Sequence, residues 1–168
     1  MPSGLSHLGR LQIHAGPVPG AIGRIVELHA TYYHRSVGFG LPFETKVARE
    51  LCQFRERFDA TRDGHWLAMD GNAIEAAITI DGIHADSEGA HLRWFIASDR
   101  TRGTGIGSAL MDAAMAFCDA QKYRRVYLWT FEGLHAARHL YEHHGFQLVH
   151  QQRGTQWGTE VNEQRFER

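Results

Sequence analysis

Arg102-Gly103-Thr104-Gly105-Ile106-Gly107 lies between a strand-like run, His91 to Ala97, and a helical run with Ile106, Leu110, Ala114 and Phe117 on one face. With glycine at 103, 105 and 107, no side chain keeps a ligand away from the backbone. N–H groups at such a turn, together with a helix start, suit a phosphate, and Arg102 adds a cation. A Walker A loop needs Gly-Lys followed by Ser or Thr, which the chain lacks. A Rossmann fingerprint needs Gly-x-Gly-x-x-Gly at the first turn of a parallel unit. Here the spacing is Gly-x-Gly-x-Gly, and antiparallel-looking strands come before it. Neither nucleotide loop fits.

Outward from this turn, Val126 to Phe131 is apolar on both faces, as a central strand requires. A helix over 136–144 stops at Gly145, and strands are expected at 146–149 and roughly 160–166. Upstream, Leu11 to His14 alternates as a short strand, and Gly16-Pro17-Val18-Pro19-Gly20 stops it. Ile22, Ile25, Val26, His29, Tyr32 and Tyr33 mark one helix face; Phe43, Val47, Leu51, Phe54 and Phe58 mark a second. Strands at 65–69 and 74–80 join at Asp70-Gly71-Asn72, and a polar hairpin loop runs from Gly82 to Gly89. The order is β-αα-βββ-α-β-α-ββ. It predicts an α/β fold with a mixed, mostly antiparallel central sheet of about seven strands and flanking helices. Residues 1–10 read as a flexible N-terminus and 11–168 as a single domain.

The chain has 168 residues, 43% hydrophobic and 22% charged, and a net charge of −1, so it can build a packed core. So neutral a chain has no general attraction to nucleic acid or anionic membrane, and neither is expected as a partner. No apolar run approaches the ~20 residues of a membrane helix, and the start lacks a secretory pattern. Cys52 and Cys118 both read as small core residues of a cytoplasmic protein. His135, His139 and His143 recur every fourth residue, without the His-Glu-x-x-His of a helical zinc site. They read as a solvent stripe, and no metal is expected.

Arg-x-x-Gly-x-Gly at 102–107 resembles the pyrophosphate motif of the GNAT superfamily of acetyl-CoA-dependent acyltransferases. Ala137-Arg138-His139-Leu140-Tyr141-Glu142-His143-His144-Gly145-Phe146 resembles its Ala-x-x-x-Tyr-x-x-x-Gly-Phe signature. The ending Gln156-Trp157-Gly158 to Phe166 is similar to acetyltransferase domains fused behind MarR-type regulators. One departure stands out: many members carry Asn seven residues before the tyrosine, where this chain has Leu134. The polar contact to the pantetheine arm is therefore not carried over.

The resemblance implies that strands 91–97 and 126–131 splay apart and that acetyl-CoA, as co-substrate, lies in the V. Its implied contacts are Phe95, Ile96, Ala97, Arg102, Gly103, Thr104, Gly105, Ile106, Gly107, Ser108 and Ala137. Backbone N–H groups near Phe95 and Ile96 would polarise the thioester carbonyl, and Tyr141 would protonate the leaving thiolate. Glu132, Glu44, Glu27 and a water chain all stand as the general base. The expected activity is direct N-acetylation of a small-molecule or peptide amine, without a cysteine relay, and a homodimer is allowed for. The alternatives are a non-catalytic acyl-CoA-sensing module and a partner-dependent regulatory domain.

Overall fold

The computed structural model describes residues 11–168, so the N-terminal stretch 1–10 lies outside the described residues. The elements are β1 (Leu11–Ala15), α1 (Ala21–Val37), α2 (Leu41–Glu56), β2 (Gly64–Asp70), β3 (Ala73–Asp81) and β4 (Ala90–Ala97). After a 3₁₀ turn at Asp99–Thr101 come α3 (Ile106–Ala120), β5 (Val126–Phe131), α4 (His135–His143), β6 (Gln147–Gly154) and β7 (Val161–Glu167). The order is the one the periodicity predicts. Two boundaries differ by more than one residue. Phe58 falls beyond the end of α2, and β6 runs to Gly154 because β7 pairs with it along its polar half.

Seven strands form one sheet in the order β1-β2-β3-β4-β5-β7-β6, antiparallel except for the β4–β5 pair. Helices α1 and α2 cover one face, where Ile25, Phe43, Leu51 and Phe54 pack on Leu67, Ala77, Trp94, Ile96 and Phe131. Helix α3 covers the other with Ile106, Leu110, Met111 and Ala114, joined there by Tyr141 of α4. Among the described residues no helix is long and apolar enough to cross a membrane.

Two irregularities in β4 open the sheet. The β3 register steps from Ala77↔Ile96 to Thr79↔Arg93, so β4 carries one extra residue, a β-bulge. Within it Trp94 takes a left-handed φ of 48°. The bulge reverses the strand's alternation: Leu92 packs with α3, yet Trp94 and Ile96 pack with α1 and α2. In addition, β4 and β5 pair only at Ala90↔Val126 and His91↔Tyr127. Beyond those pairs the two strands diverge.

Candidate active site

A cavity of about 390 Å³ occupies the gap between the diverging strands. It passes through the sheet, so side chains from both layers meet in it. His29 and Tyr33 come from α1, and Phe43, Lys46 and Glu50 from α2. Tyr141 arrives from α4 on the opposite face, beside Phe95 at a ring separation of 6.3 Å. Trp129 and Phe131 of β5 and Trp157 of the β6–β7 loop complete the aromatic wall.

The edge of β4 that faces the gap carries free donors. Ser98 N–H donates to the Glu75 carbonyl at 2.7 Å, toward β3. Strand N–H groups alternate in direction, so those of Phe95 and Ala97 turn the other way, toward the opening. Of the three residues expected to polarise or hold a thioester here, the phase of the strand favours Phe95 and Ala97 over Ile96, whose side chain is buried.

Below the opening, Gly103 and Gly105 have φ of 74° and 79°, values an L side chain rarely adopts. A Cβ at either would meet nothing within 4 Å, so this is an open cradle. Among the described residues, the N–H groups of Gly103, Gly105, Gly107 and Ser108 have no backbone acceptor, whereas Ala109 N–H already bonds the Gly105 carbonyl. Four donors grouped at the start of α3 suit a pyrophosphate. Gly107 differs: a Cβ there would lie 3.4 Å from Leu140 and 3.5 Å from Phe95, in ordinary contact where α3 packs on α4 and β4. Ile106 is buried and anchors the helix. The Thr104 hydroxyl donates to the Thr101 carbonyl at 2.6 Å and so closes the turn. Arg102 is exposed and bonds Asp99 at 2.9 Å, and Asp99 also accepts from Arg35 at 2.9 Å. That pairing holds the Asp99 carboxyl below its usual range. Ala137 is half-buried on α4 against the core, and Leu134 begins that helix packed on the α1–α2 side.

Tyr141 is 7% exposed, its ring packed on Phe146 and Phe166. Burial raises its phenol above the usual range, so it stays protonated as a donor must. The Tyr33 phenol, which lines the same cavity, is raised too, by burial first.

The carboxylates weighed as base lie elsewhere. Glu44 is exposed in the first turn of α2. Glu27 is exposed and pairs with Arg24. Glu132 is exposed in the turn after β5, where it accepts from Asn162 at 3.2 Å. None of the three lines the cavity. His29 and Tyr33, one helical turn apart on the apolar face of α1, do line it, although the sequence pattern marks them only as core positions. A histidine within such a stripe was the available signal.

The cysteines divide. Cys118 is buried, and its thiol is pushed up to about 12 by that burial. Cys52, expected in the core, is instead exposed. Leu51 and Phe54 take the buried stripe of α2, and Cys52 sits roughly 100° from Leu51 around the helix. Neither cysteine lines the cavity. His135, His139 and His143 are exposed.

A sheet split beside free N–H donors at a helix start offers room and donors for a phosphate-bearing ligand. The model of the acetyltransferase (GNAT) family matches residues 24–146, and the chain belongs to that family. An acetyltransferase from Streptococcus agalactiae superposes with a TM-score of 0.75 at 17% identity, over 96% of this chain and 99% of that one. A ribosomal-protein-alanine N-acetyltransferase from Brucella melitensis gives 0.73 at 12% identity, covering 94% and 99%. A Salmonella typhimurium protein solved with its cofactor acetyl-CoA gives 0.72 at 9% identity, covering 95% and 94%. At these identities the likeness is one of fold. No curated protein matches the sequence.

Proposed function

We propose that this chain is an N-acetyltransferase that moves an acetyl group from acetyl-CoA directly to a primary amine of a small molecule or peptide. The observation that carries this reading is the meeting of the buried Tyr141 with the gap-facing edge of β4 in one cavity beside the glycine cradle. Acetyl-CoA supplies the activated thioester. Gly103, Gly105, Gly107 and Ser108 offer N–H groups to its pyrophosphate, and Phe95 and Ala97 offer theirs to the carbonyl oxygen as charge develops there. Tyr141 gives its proton to the departing sulfur. The placement of both cysteines away from the cavity supports direct transfer over a covalent relay. The ending at 156–166 supports kinship with the acetyltransferase domains found behind MarR-type regulators.

The test is a melting shift with acetyl-CoA, CoA, ATP and NAD, followed by an amine panel. The two coenzyme A compounds are expected to stabilise the chain by about 2.7 kcal/mol at a hundredfold excess over Kd. Equal shifts with ATP or NAD would sink the cofactor assignment. Binding without turnover of any amine would favour a sensing module.

A further inference from the structure

His29 is 6% exposed and lines the cavity. Its Nδ1 lies 2.8 Å from the Ile25 carbonyl oxygen, which can only accept, so Nδ1 carries the hydrogen and Nε2 keeps its lone pair. Among the described residues nothing bonds Nε2, nor the hydroxyls of Tyr33 and Tyr141. The Tyr33 ring stacks on the imidazole at 6.2 Å, and the Phe43 ring lies 6.5 Å away. Phe131 and Trp157 close the same chamber. Its lining holds one carboxylate, Glu50, which is occupied by Lys46 at 2.7 Å and by Arg93.

We infer that His29 Nε2 receives the nitrogen of the acceptor amine and takes its proton, and that the acceptor is an uncharged primary amine carried on an apolar or aromatic body. This rests on the acetyltransferase reading above. The nitrogen lone pair forms the C–N bond while the C–S bond breaks with its electron pair on sulfur. The nitrogen's proton passes to His29, and the Tyr141 proton passes to sulfur. The imidazolium then gives its proton to solvent and the Tyr141 phenolate takes one back from solvent, which closes the cycle. The chamber supports each part. It offers rings to the carrier, no free carboxylate to an ammonium, and the His29 Nε2 lone pair to an N–H. Burial holds the imidazole at about 4, so it is neutral before reaction. The other titratable groups facing the cavity are Tyr33, Lys46, Glu50, His91, Arg93 and Tyr141.

The test begins with imidazole ¹⁵N NMR on the whole chain at pH 7, which needs no variant. His29 is expected as the Nδ1–H tautomer, and benzylamine added at alkaline pH with CoA present should move its Nε2 resonance. An Nε2–H tautomer, or an unmoved resonance, overturns the inference. In turnover of benzylamine and phenethylamine, His29→Gln should lower kcat/KM on the order of 10²–10⁴ and leave the CoA melting shift intact. Its residual rate should climb with hydroxide where the parent reaches a plateau. Unchanged turnover in His29→Gln beside a normal CoA shift overturns this inference alone, whereas absence of the CoA shift in the parent removes the acetyltransferase reading beneath it. Turnover of spermidine and of neither aromatic amine overturns the acceptor class.

Discussion

The Arg93 guanidinium lies 4.1 Å from the centre of the Trp94 ring, although the two residues are neighbours in a strand. Adjacent strand residues ordinarily point to opposite faces. The bulge puts both on the α2 side, where Arg93 meets Glu50 and Asp81 while Trp94 packs on Phe54 at 5.5 Å. The same bulge sets the phase of Phe95 to Ala97. Trp94→Ala should therefore cost about 3–5 kcal/mol in urea unfolding. It should also lower kcat in the fraction that folds, because the gap-facing N–H groups lose their aim. Parent-like stability would show that the tryptophan does not hold the bulge.

Glu75 ties the cradle to the sheet. It is 1% exposed, accepts from Arg100 at 3.0 Å and from the Ser98 hydroxyl, and lies 3.9 Å from Arg24 of α1. Arg100 is largely solvated, so most of the loss in Glu75→Ala falls on the buried Ser98 hydroxyl left without a partner. That loss is about 1–3 kcal/mol. The loop from Ser98 to Arg102 then loosens, and calorimetry should find weaker CoA binding. Unaltered CoA affinity would separate this network from the site.

The glycines of the turn should not behave alike. Gly105→Ala forces a left-handed φ on a side chain, which costs roughly 1–2 kcal/mol. Gly105→Val should in addition obstruct the cradle and weaken CoA binding. Gly107→Ala places its methyl in ordinary contact with Leu140 and Phe95, within a helix where alanine is favoured by up to about 1 kcal/mol. Its melting temperature should hold or rise, with CoA affinity retained. Gly71→Ala is a poor neutral control, since Gly71 itself has a φ of 59°. Melting curves with and without CoA read both effects.

Acid should destabilise the fold well before its carboxylates titrate. Burial lowers His29 and His65 from 6.5 to about 4, and His65 bonds the Thr79 hydroxyl at 2.8 Å. Burial, then Arg93, lowers His91 to about 3. Unfolded imidazoles take up protons as pH falls through 6.5, while the folded ones stay neutral. The stabilisation is complete above pH 6.5 and is lost as pH falls toward 4. Each histidine contributes a slope of up to about 1.4 kcal/mol per pH unit. Urea midpoints at pH 7 and pH 5 measure the drop. Equal midpoints would mean that these imidazoles are charged in the fold.

Periodicity made most of the fold legible, because α1, α2, α3 and β5 each bury a regular stripe. The cradle was legible too, since glycine at 103 and 105 is required by backbone angles that a sequence can signal. The bulge was not. His91 to Ala97 reads as a plain alternating strand, and only its register against β3 reveals the extra residue. His29 looked like one more core position because its proton is satisfied by its own helix, at Ile25. Glu132 and Glu44 looked better placed than they are, since nearness in sequence to β5 and α2 does not fix the direction of a side chain.

Tyr141→Phe bears most directly on the mechanism. The ring is wedged among Phe95, Phe146 and Phe166, and the hydroxyl has no protein partner among the described residues. Removing the oxygen therefore leaves the packing in place and orphans no buried group, so the melting temperature should stay near the parent's. A tyrosine that donates its proton to the sulfur acts in the transition state and contributes little to ground-state binding. Its loss should lower kcat on the order of 10²–10⁴, the usual span for a positioned acid, with acetyl-CoA affinity almost unmoved. The raised phenol pKa adds a second expectation: no alkaline loss of kcat from Tyr141 ionisation should set in near the ordinary phenol value of ~10. A parent-like kcat in the folded variant would return Tyr141 to a packing role. A collapse of acetyl-CoA affinity would make it a binding residue instead.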